Sequence, residues 1–312
     1  MTKLLSCGKG GSRTPFYVAN SRTFRYDGQN EKDGVTVIME RRPVAYQLYS
    51  AREEAQKDLG AVLNEVAAMG YQGVEFGGFY GIGAEEVSAM LARNNLLGIS
   101  SHVPMTLIEA DMFGVISYHR KIGCKYIAIP FLDDKTRPGA PGFAGTIQLI
   151  QKFGGLCKKA GIQLLYHNHD FEFVKVSGKY GLDFLYDAVS PVLLKTQLDV
   201  CWIKYAGEDP AAYIRKYAGR CPVIHLKDFV GQKGGPSPYG LIGKEDGADP
   251  DKTAFEFRPL GYGCQDMASV VNASIESGAK WFVVEQDLSI GRTPLEAAKM
   301  SIETLRGLGV TG

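Results

Sequence analysis

Eight short apolar runs recur along this chain, each followed by a stretch with helical spacing, and that alternation leaves few folds open. The runs fall at residues 44–49, 73–76, 98–103, 126–130, 162–167, 194–200, 223–226 and 281–285. After the first, Leu59, Val62, Leu63 and Val66 keep the i, i+3, i+4, i+7 spacing of one helix face, and near the end Leu295, Ala298, Ile302 and Leu305 do the same behind Pro294. Gly70, Gly123 and Gly161 stand between a helical stretch and a strand, where a left-handed helix cap favours glycine. Strands joined through helices must run parallel, because the helix returns the chain to its starting end. Eight such units predict a closed α/β barrel, a (β/α)₈ fold. The competing open sheet would carry a glycine-rich phosphate turn after its first strand, and Tyr49-Ser50-Ala51-Arg52-Glu53 is not one.

The barrel is read over residues 43–312. Residues 1–42 have eight basic and four acidic side chains, several glycines and no sustained apolar period, and are expected to be an irregular N-terminal extension, with Met39 a candidate start of translation. Residues 229–262, rich in glycine and proline, make one long βα connection, expected to be a lid over the substrate. Lys plus Arg number 35 against 34 acidic residues, which gives no bulk reason to bind nucleic acid or an anionic membrane. The six cysteines form no CxxC pair and suit reduced thiols of a cytoplasmic protein; no run is long enough to span a membrane, and Lys3-Leu4-Leu5 is too short for a signal peptide core.

In such a barrel chemistry sits where strands end. Those ends carry Glu75, His102, His167-Asn168-His169, Asp199, His225 with Lys227 and Asp228, and Glu285 with Asp287, hence four of the five histidines; His119 falls mid-helix and reads as a surface or boundary residue. Buried charges are costly unless paired or bound to metal. His167, Asp199, His225 and Glu285 offer two nitrogens and two oxygens from strands five to eight. That set suits one divalent ion, Mn²⁺ first, with Co²⁺, Fe²⁺ or Zn²⁺ preferred to Mg²⁺. Glu285 is further expected to act as general base. Lys227 shares a strand face with His225 and either polarises a substrate oxygen or pairs with Asp228 or Glu285. His169 and His102 are candidates for substrate hydroxyls or for orienting a ligand, and Glu75 for a sugar hydroxyl or loop amides; Glu172 is left outside the metal shell. Tyr46, Tyr49, Phe76, Phe79, Tyr80 and Trp202 would suit a wall against a sugar face or plain core.

From Pro43 onward the chain resembles the sugar phosphate isomerase/epimerase family of the xylose-isomerase-like barrel superfamily. The resemblance rests on Gly-Val-Glu-Phe at 73–76, Tyr-His-Asn-His-Asp-Phe-Glu-Phe at 166–173, Gln-Leu-Asp-Val at 197–200, His-Leu-Lys-Asp at 225–228, Pro-Leu-Gly-Tyr-Gly at 259–263 and Val-Glu-Gln-Asp at 284–287, in this order. It implies a four-ligand metal site on His167, Asp199, His225 and Glu285. Two positions depart from it: many relatives have glutamate where His167 stands, paired as acid/base with the strand-eight glutamate, and an acidic residue where Tyr262 stands. The expected activity is isomerisation or epimerisation of a small carbohydrate through an enediolate, by proton abstraction next to a carbonyl. Elimination from a keto-sugar, inosose or 3-keto-glycoside is the alternative. An apurinic-site endonuclease would need more histidines and a basic face, and a non-catalytic sugar-binding barrel would not need intact ligands. Self-association is left open.

Overall fold

The computed structural model describes residues 41–231, 238–242 and 255–312. Eight strands, β1 Val44–Gln47, β2 Gly73–Phe76, β3 Leu97–Ser101, β4 Tyr126–Ile129, β5 Gln163–His167, β6 Leu194–Asp199, β7 Val223–Leu226 and β8 Trp281–Val284, pair in parallel in the order β3-β2-β1-β8-β7-β6-β5-β4. The two ends of that sheet meet through a parallel bridge between His102 and Ala128. There the Val103 N–H donates to the Ala128 carbonyl at 2.9 Å and the Lys125 N–H to that of Ile99 at 3.2 Å. The sheet therefore closes into the expected barrel, with helices outside.

Period-two alternation sorts each strand. Ala45, Ile99, Ala128, Leu165, Val223 and Val283 form one apolar cluster, while outward residues such as Val44, Tyr46, Val74 and Leu164 join the larger core beneath the helices. Two residues beyond members of the inner cluster, at the carboxyl ends, come Gln47 after Ala45, His167 after Leu165, His225 after Val223 and Glu285 after Val283. One spacing rule thus stacks polar side chains on an apolar plug.

The helices differ in detail from the eight expected, because several are broken in two. Asp58 ends Arg52–Lys57 and caps Leu59–Ala68, and Asp111 does the same between Met105–Ala110 and Met112–Lys121, its carboxylate accepting from the Gly114 N–H. Thr293 and Glu296 close a capping box at Pro294–Gly307. Leu59, Val62, Leu63 and Val66 are all buried, and Gly70, Gly123 and Gly161 take positive φ. His119 is a core residue rather than a surface one: its Nδ1 sits 2.6 Å from the Val115 carbonyl and its ring packs beside Phe79 and Tyr118.

The expected extension falls on residues outside the described ones, apart from Arg41 and Arg42. Arg42 is tied into the barrel, its N–H to the Val310 carbonyl at 3.0 Å and its Nε to that of Ala279 at 2.9 Å. Within the long connection, residues 232–237 and 243–254 also lie outside the described set. The rest is an antiparallel pair, Asp228–Gly231 with Phe255–Arg258, and a 3-10 turn at Pro238–Ile242. No helix of the described residues is long and apolar enough to cross a membrane.

Candidate metal centre

His167 ends β5, Asp199 ends β6, His225 lies in β7, and Glu285 follows β8. All four are buried, and each offers a ligand atom within 4.8 Å of the other three. Atoms sharing an ion with bonds of about 2.0–2.2 Å lie at most about 4.4 Å apart, so a small contraction suffices. His225 Nδ1 stands 2.9 Å from Glu285 Oε2, and His167 Nε2 stands 3.7 Å from Asp199 Oδ2. Asp199 Oδ1 caps the helix Val200–Tyr205, accepting from the N–H groups of Cys201 at 2.8 Å and Trp202 at 3.3 Å. Its Oδ2 is buried without a hydrogen-bond partner, as is His167 Nδ1. Orphaned buried atoms of this kind are costly, and a cation would satisfy the carboxylate. The donor set and the orphaned oxygen fit one divalent ion of the imidazole-binding type.

Lys227 lies above this group, its Nζ 3.1 Å from Glu285 Oε2, 3.6 Å from Asp199 Oδ2 and in contact with Asp287 Oδ2. Of the partners expected from sequence it takes Glu285 and not Asp228. Asp228 faces away and accepts from the backbone N–H groups of Phe229, Gly261, Gly263 and Gln265 at 2.9–3.1 Å, holding the 259–265 turn. Burial works against the Lys227 charge, but Asp287, Glu285 and Asp199 outweigh it and keep its pKa well above the usual value. Burial likewise opposes ionisation of Glu285, and Lys227 with His225 prevails, holding that carboxyl well below the usual range. Against burial, Glu75 and Glu285 push His225 up to about 10, whereas burial with His225 and His102 nearby drives His167 well below. Burial raises Asp199 and Asp287 despite Lys227.

The other expected site residues fall into two places. Glu75 and His102 lie beside His225: Glu75 Oε1 is 2.6 Å from His225 Nε2 and 3.0 Å from His102 Nε2, and the two imidazoles stack at 5.2 Å. His169 and Trp202 belong to an aromatic wall. The His169 ring is 5.0 Å from Trp202 and 5.0 Å from Phe131, and stacks on Phe171 at 5.6 Å; Trp202 is itself fully buried, against Phe255 and Phe257. Tyr239 of the 3-10 turn joins this wall and bonds Asp170, while Tyr49 from the β1 side donates to the Ile242 carbonyl at 3.0 Å. Glu172 lies below, fully buried, accepting from the Tyr166 hydroxyl at 2.7 Å and the His169 N–H at 2.8 Å; burial pushes it up to about 8.

Asp287, expected at the end of strand eight, binds Lys227. Two participants stand out only in the structure: Gln47 and Gln197 donate to Glu75 at 2.7 and 2.5 Å. Gln197 precedes Asp199 by two, so strand parity already placed it on the same face; being uncharged, it drew no attention.

The chain belongs to the xylose isomerase-like TIM-barrel family, whose sequence pattern matches residues 63–308. Among solved structures it is similar to a sugar phosphate isomerase/epimerase from Parabacteroides distasonis, with 21% identity over 90% of this chain and 99% of that one, at a TM-score of 0.71. It is also similar to a probable 3-DHS dehydratase from Bacillus anthracis (12% identity, 85% and 98% covered, TM-score 0.66) and to an L-ribulose 3-epimerase (17%, 87% and 95%, 0.60). No curated protein matches at a significant level. At these identities the likenesses establish the fold.

Proposed function

We propose that this protein is a divalent-metal-dependent enzyme that isomerises or epimerises a sugar or keto-sugar by removing the proton next to its carbonyl. The observation that carries this reading is the convergence of His167, Asp199, His225 and Glu285 from consecutive strands, with Glu285 bonded through one oxygen only. His225 and Lys227 both contact Oε2, and no described residue bonds Oε1. When bound, the ion, Mn²⁺ first, supplies Lewis-acid stabilisation of a developing enediolate. Glu285 Oε1 takes the α-proton. Lys227, kept as an ammonium by its carboxylates, donates a hydrogen bond toward the substrate oxygen. His169, held by the Glu172 bond to its backbone and by the surrounding rings, is the second donor. His102, on the rim beside His225, and the aromatic wall around Trp202 contact the remainder of the carbohydrate.

His167 favours a second reading. An imidazole stands where relatives pair a second carboxylate with the strand-eight glutamate, so the reaction has one carboxylate base; elimination from a keto-sugar needs no more. The even charge, +1 overall, suits a small carbohydrate and gives no footprint for nucleic acid. Five free cysteines among the described residues fit a reducing, cytoplasmic setting.

The test is a panel of keto- and aldo-sugars, phosphorylated or not, incubated in D₂O with Mn²⁺ and followed by NMR. Deuterium entering the α-position of a rearranged product supports isomerisation or epimerisation. Loss of a β-substituent supports elimination. Metal-free protein and no exchange with any member would overturn both.

A further inference from the structure

Beneath the four candidate ligands lies a carboxylate with no role in the proposed proton transfer. Glu75 is fully buried, and its two oxygens meet four donors from four other strands or strand ends. Oε1 receives Gln47 Nε2 at 2.7 Å, His225 Nε2 at 2.6 Å and His102 Nε2 at 3.0 Å; Oε2 receives Gln197 Nε2 at 2.5 Å. Gln197 returns its own Oε1 to His102 Nε2 at 2.8 Å. An ionised carboxylate only accepts hydrogen bonds, so each nitrogen facing it carries a hydrogen. Both imidazoles are therefore protonated at Nε2. For His225 the remaining nitrogen, Nδ1, faces the Glu285 carboxylate at 2.9 Å; with no ion present the same rule puts a hydrogen there too, and an ion bound between the two groups would take that hydrogen's place. His167 has no equivalent support, since its Nδ1 is buried without a partner.

We infer that Glu75, braced by Gln47 and Gln197, is the positioning residue of this centre, holding the hydrogens of His225 and His102 on Nε2 so that Nδ1 is the nitrogen His225 yields to an ion. For His225 this rests on the metal reading above. A metal-bound imidazole whose other nitrogen donates to a carboxylate is held in tautomer and orientation, and losing the partner typically weakens metal binding 10–100-fold. One carboxylate thereby sets the nitrogen offered to the ion and the state of the neighbouring rim imidazole. The two glutamine amides supply donors that replace water around a carboxylate sealed in the core.

The test is direct observation of the tautomers. Full-length protein labelled with [¹⁵N]histidine and loaded with Zn²⁺ is examined by two-bond ¹H–¹⁵N correlation, with His102→Gln and His225→Gln assigning the signals. Protons on Nε2 of both residues are expected; a proton on Nδ1 of zinc-loaded His225 overturns the inference without any variant of Glu75. Glu75→Gln should then weaken Zn²⁺ binding by about 10–100-fold in competition with a chromophoric chelator and give mixed tautomers at His102. A folded Glu75→Gln protein with wild-type Kd and unchanged tautomers overturns it as well. Protein that holds zinc with these tautomers yet exchanges no sugar proton upholds the positioning role and removes only the proposed reaction.

Discussion

The two oxygens of Glu285 stand in unlike surroundings, and the proposed chemistry depends on that difference. Oε2 is fixed by His225 and Lys227, while Oε1 is left for the substrate. Glu285→Gln preserves size and the Oε2-side contacts but cannot take a proton. It should retain stoichiometric metal and lower turnover by about 10²–10⁴, the usual worth of general acid–base catalysis. Solvent exchange of the substrate α-proton at the wild-type rate would place the base elsewhere. Glu172 makes a different prediction at the same scale. Burial pushes its folded pKa up to about 8, well above the ordinary carboxyl value of about 4.5. The native chain keeps a proton that the unfolded chain releases, so this group's contribution is full below about pH 4.5, declines as pH rises toward about 8 and is lost above it. Glu172→Gln stays neutral throughout. Urea unfolding between pH 5 and 8 should therefore show a smaller loss of stability with pH in the variant, and parallel curves for the two proteins would contradict this.

Secondary-structure elements bring the mouth together, and Asp228 is the pin of one of them. Its carboxylate holds four backbone N–H groups between the hairpin strand that begins at Asp228 and the turn at 259–265. A Cβ at Gly263 would fall 2.1 Å from Asp228 Oδ1, so the turn is shaped around this side chain. Asp228→Ala strands those donors and should cost on the order of 3 kcal/mol. Amide exchange at Gly261, Gly263 and Gln265 should quicken; unchanged exchange there would show that the turn holds itself. The sequence made the barrel legible because each strand–helix unit has a local apolar period, and the ligand set legible because polar residues at the ends of apolar strands stand out. Asp228 is one of the two carboxylates the sequence offers Lys227, the other being Glu285, and adjacent strand residues face opposite ways, which leaves Glu285. The Glu75 cluster was hidden for another reason: Gln47 is its register partner on the neighbouring strand, His102 follows the strand beyond the register shift between Val74 and Glu75, and Gln197 reaches it across the barrel, and no local pattern encodes these meetings. The split helices were marked by Asp58 and Asp111, caps that also serve as ordinary surface residues.

At the scale of the whole molecule, the barrel is a compact unit running from Met39 to Gly312. Arg42 and Pro43 bond across to Val310, Ala279 and Phe282, so the first strand is anchored from both sides by described residues of the barrel. A chain beginning at Met39 should fold with the full chain's Tm to within about 2 °C, a shift that corresponds to less than about 1 kcal/mol; a larger drop would show that the extension supports the barrel. The greater tension is electrostatic. Glu75, Asp199, Glu285 and Asp287 are all buried at one end of the barrel, and Lys227 is the one buried lysine or arginine among the described residues. Even with His225 carrying a proton, the carboxylates are in excess, and buried charge without compensation opposes folding. An ion that binds only the folded state adds stability as RT ln(1 + [L]/Kd), about 2.7 kcal/mol at a hundredfold excess over Kd. With roughly 2–4 °C per kcal/mol for a domain of this order of size, Mn²⁺ should raise the Tm of chelator-stripped protein by about 5–10 °C. The rise should continue with the logarithm of ion concentration. Asp199→Ala removes a candidate ligand and one of the excess charges together, so its apo form need not be less stable, but its Tm should no longer respond to Mn²⁺. A Tm indifferent to Mn²⁺, Co²⁺ and Zn²⁺ in the wild type would mean that the cluster is a hydrogen-bonded network rather than a metal centre.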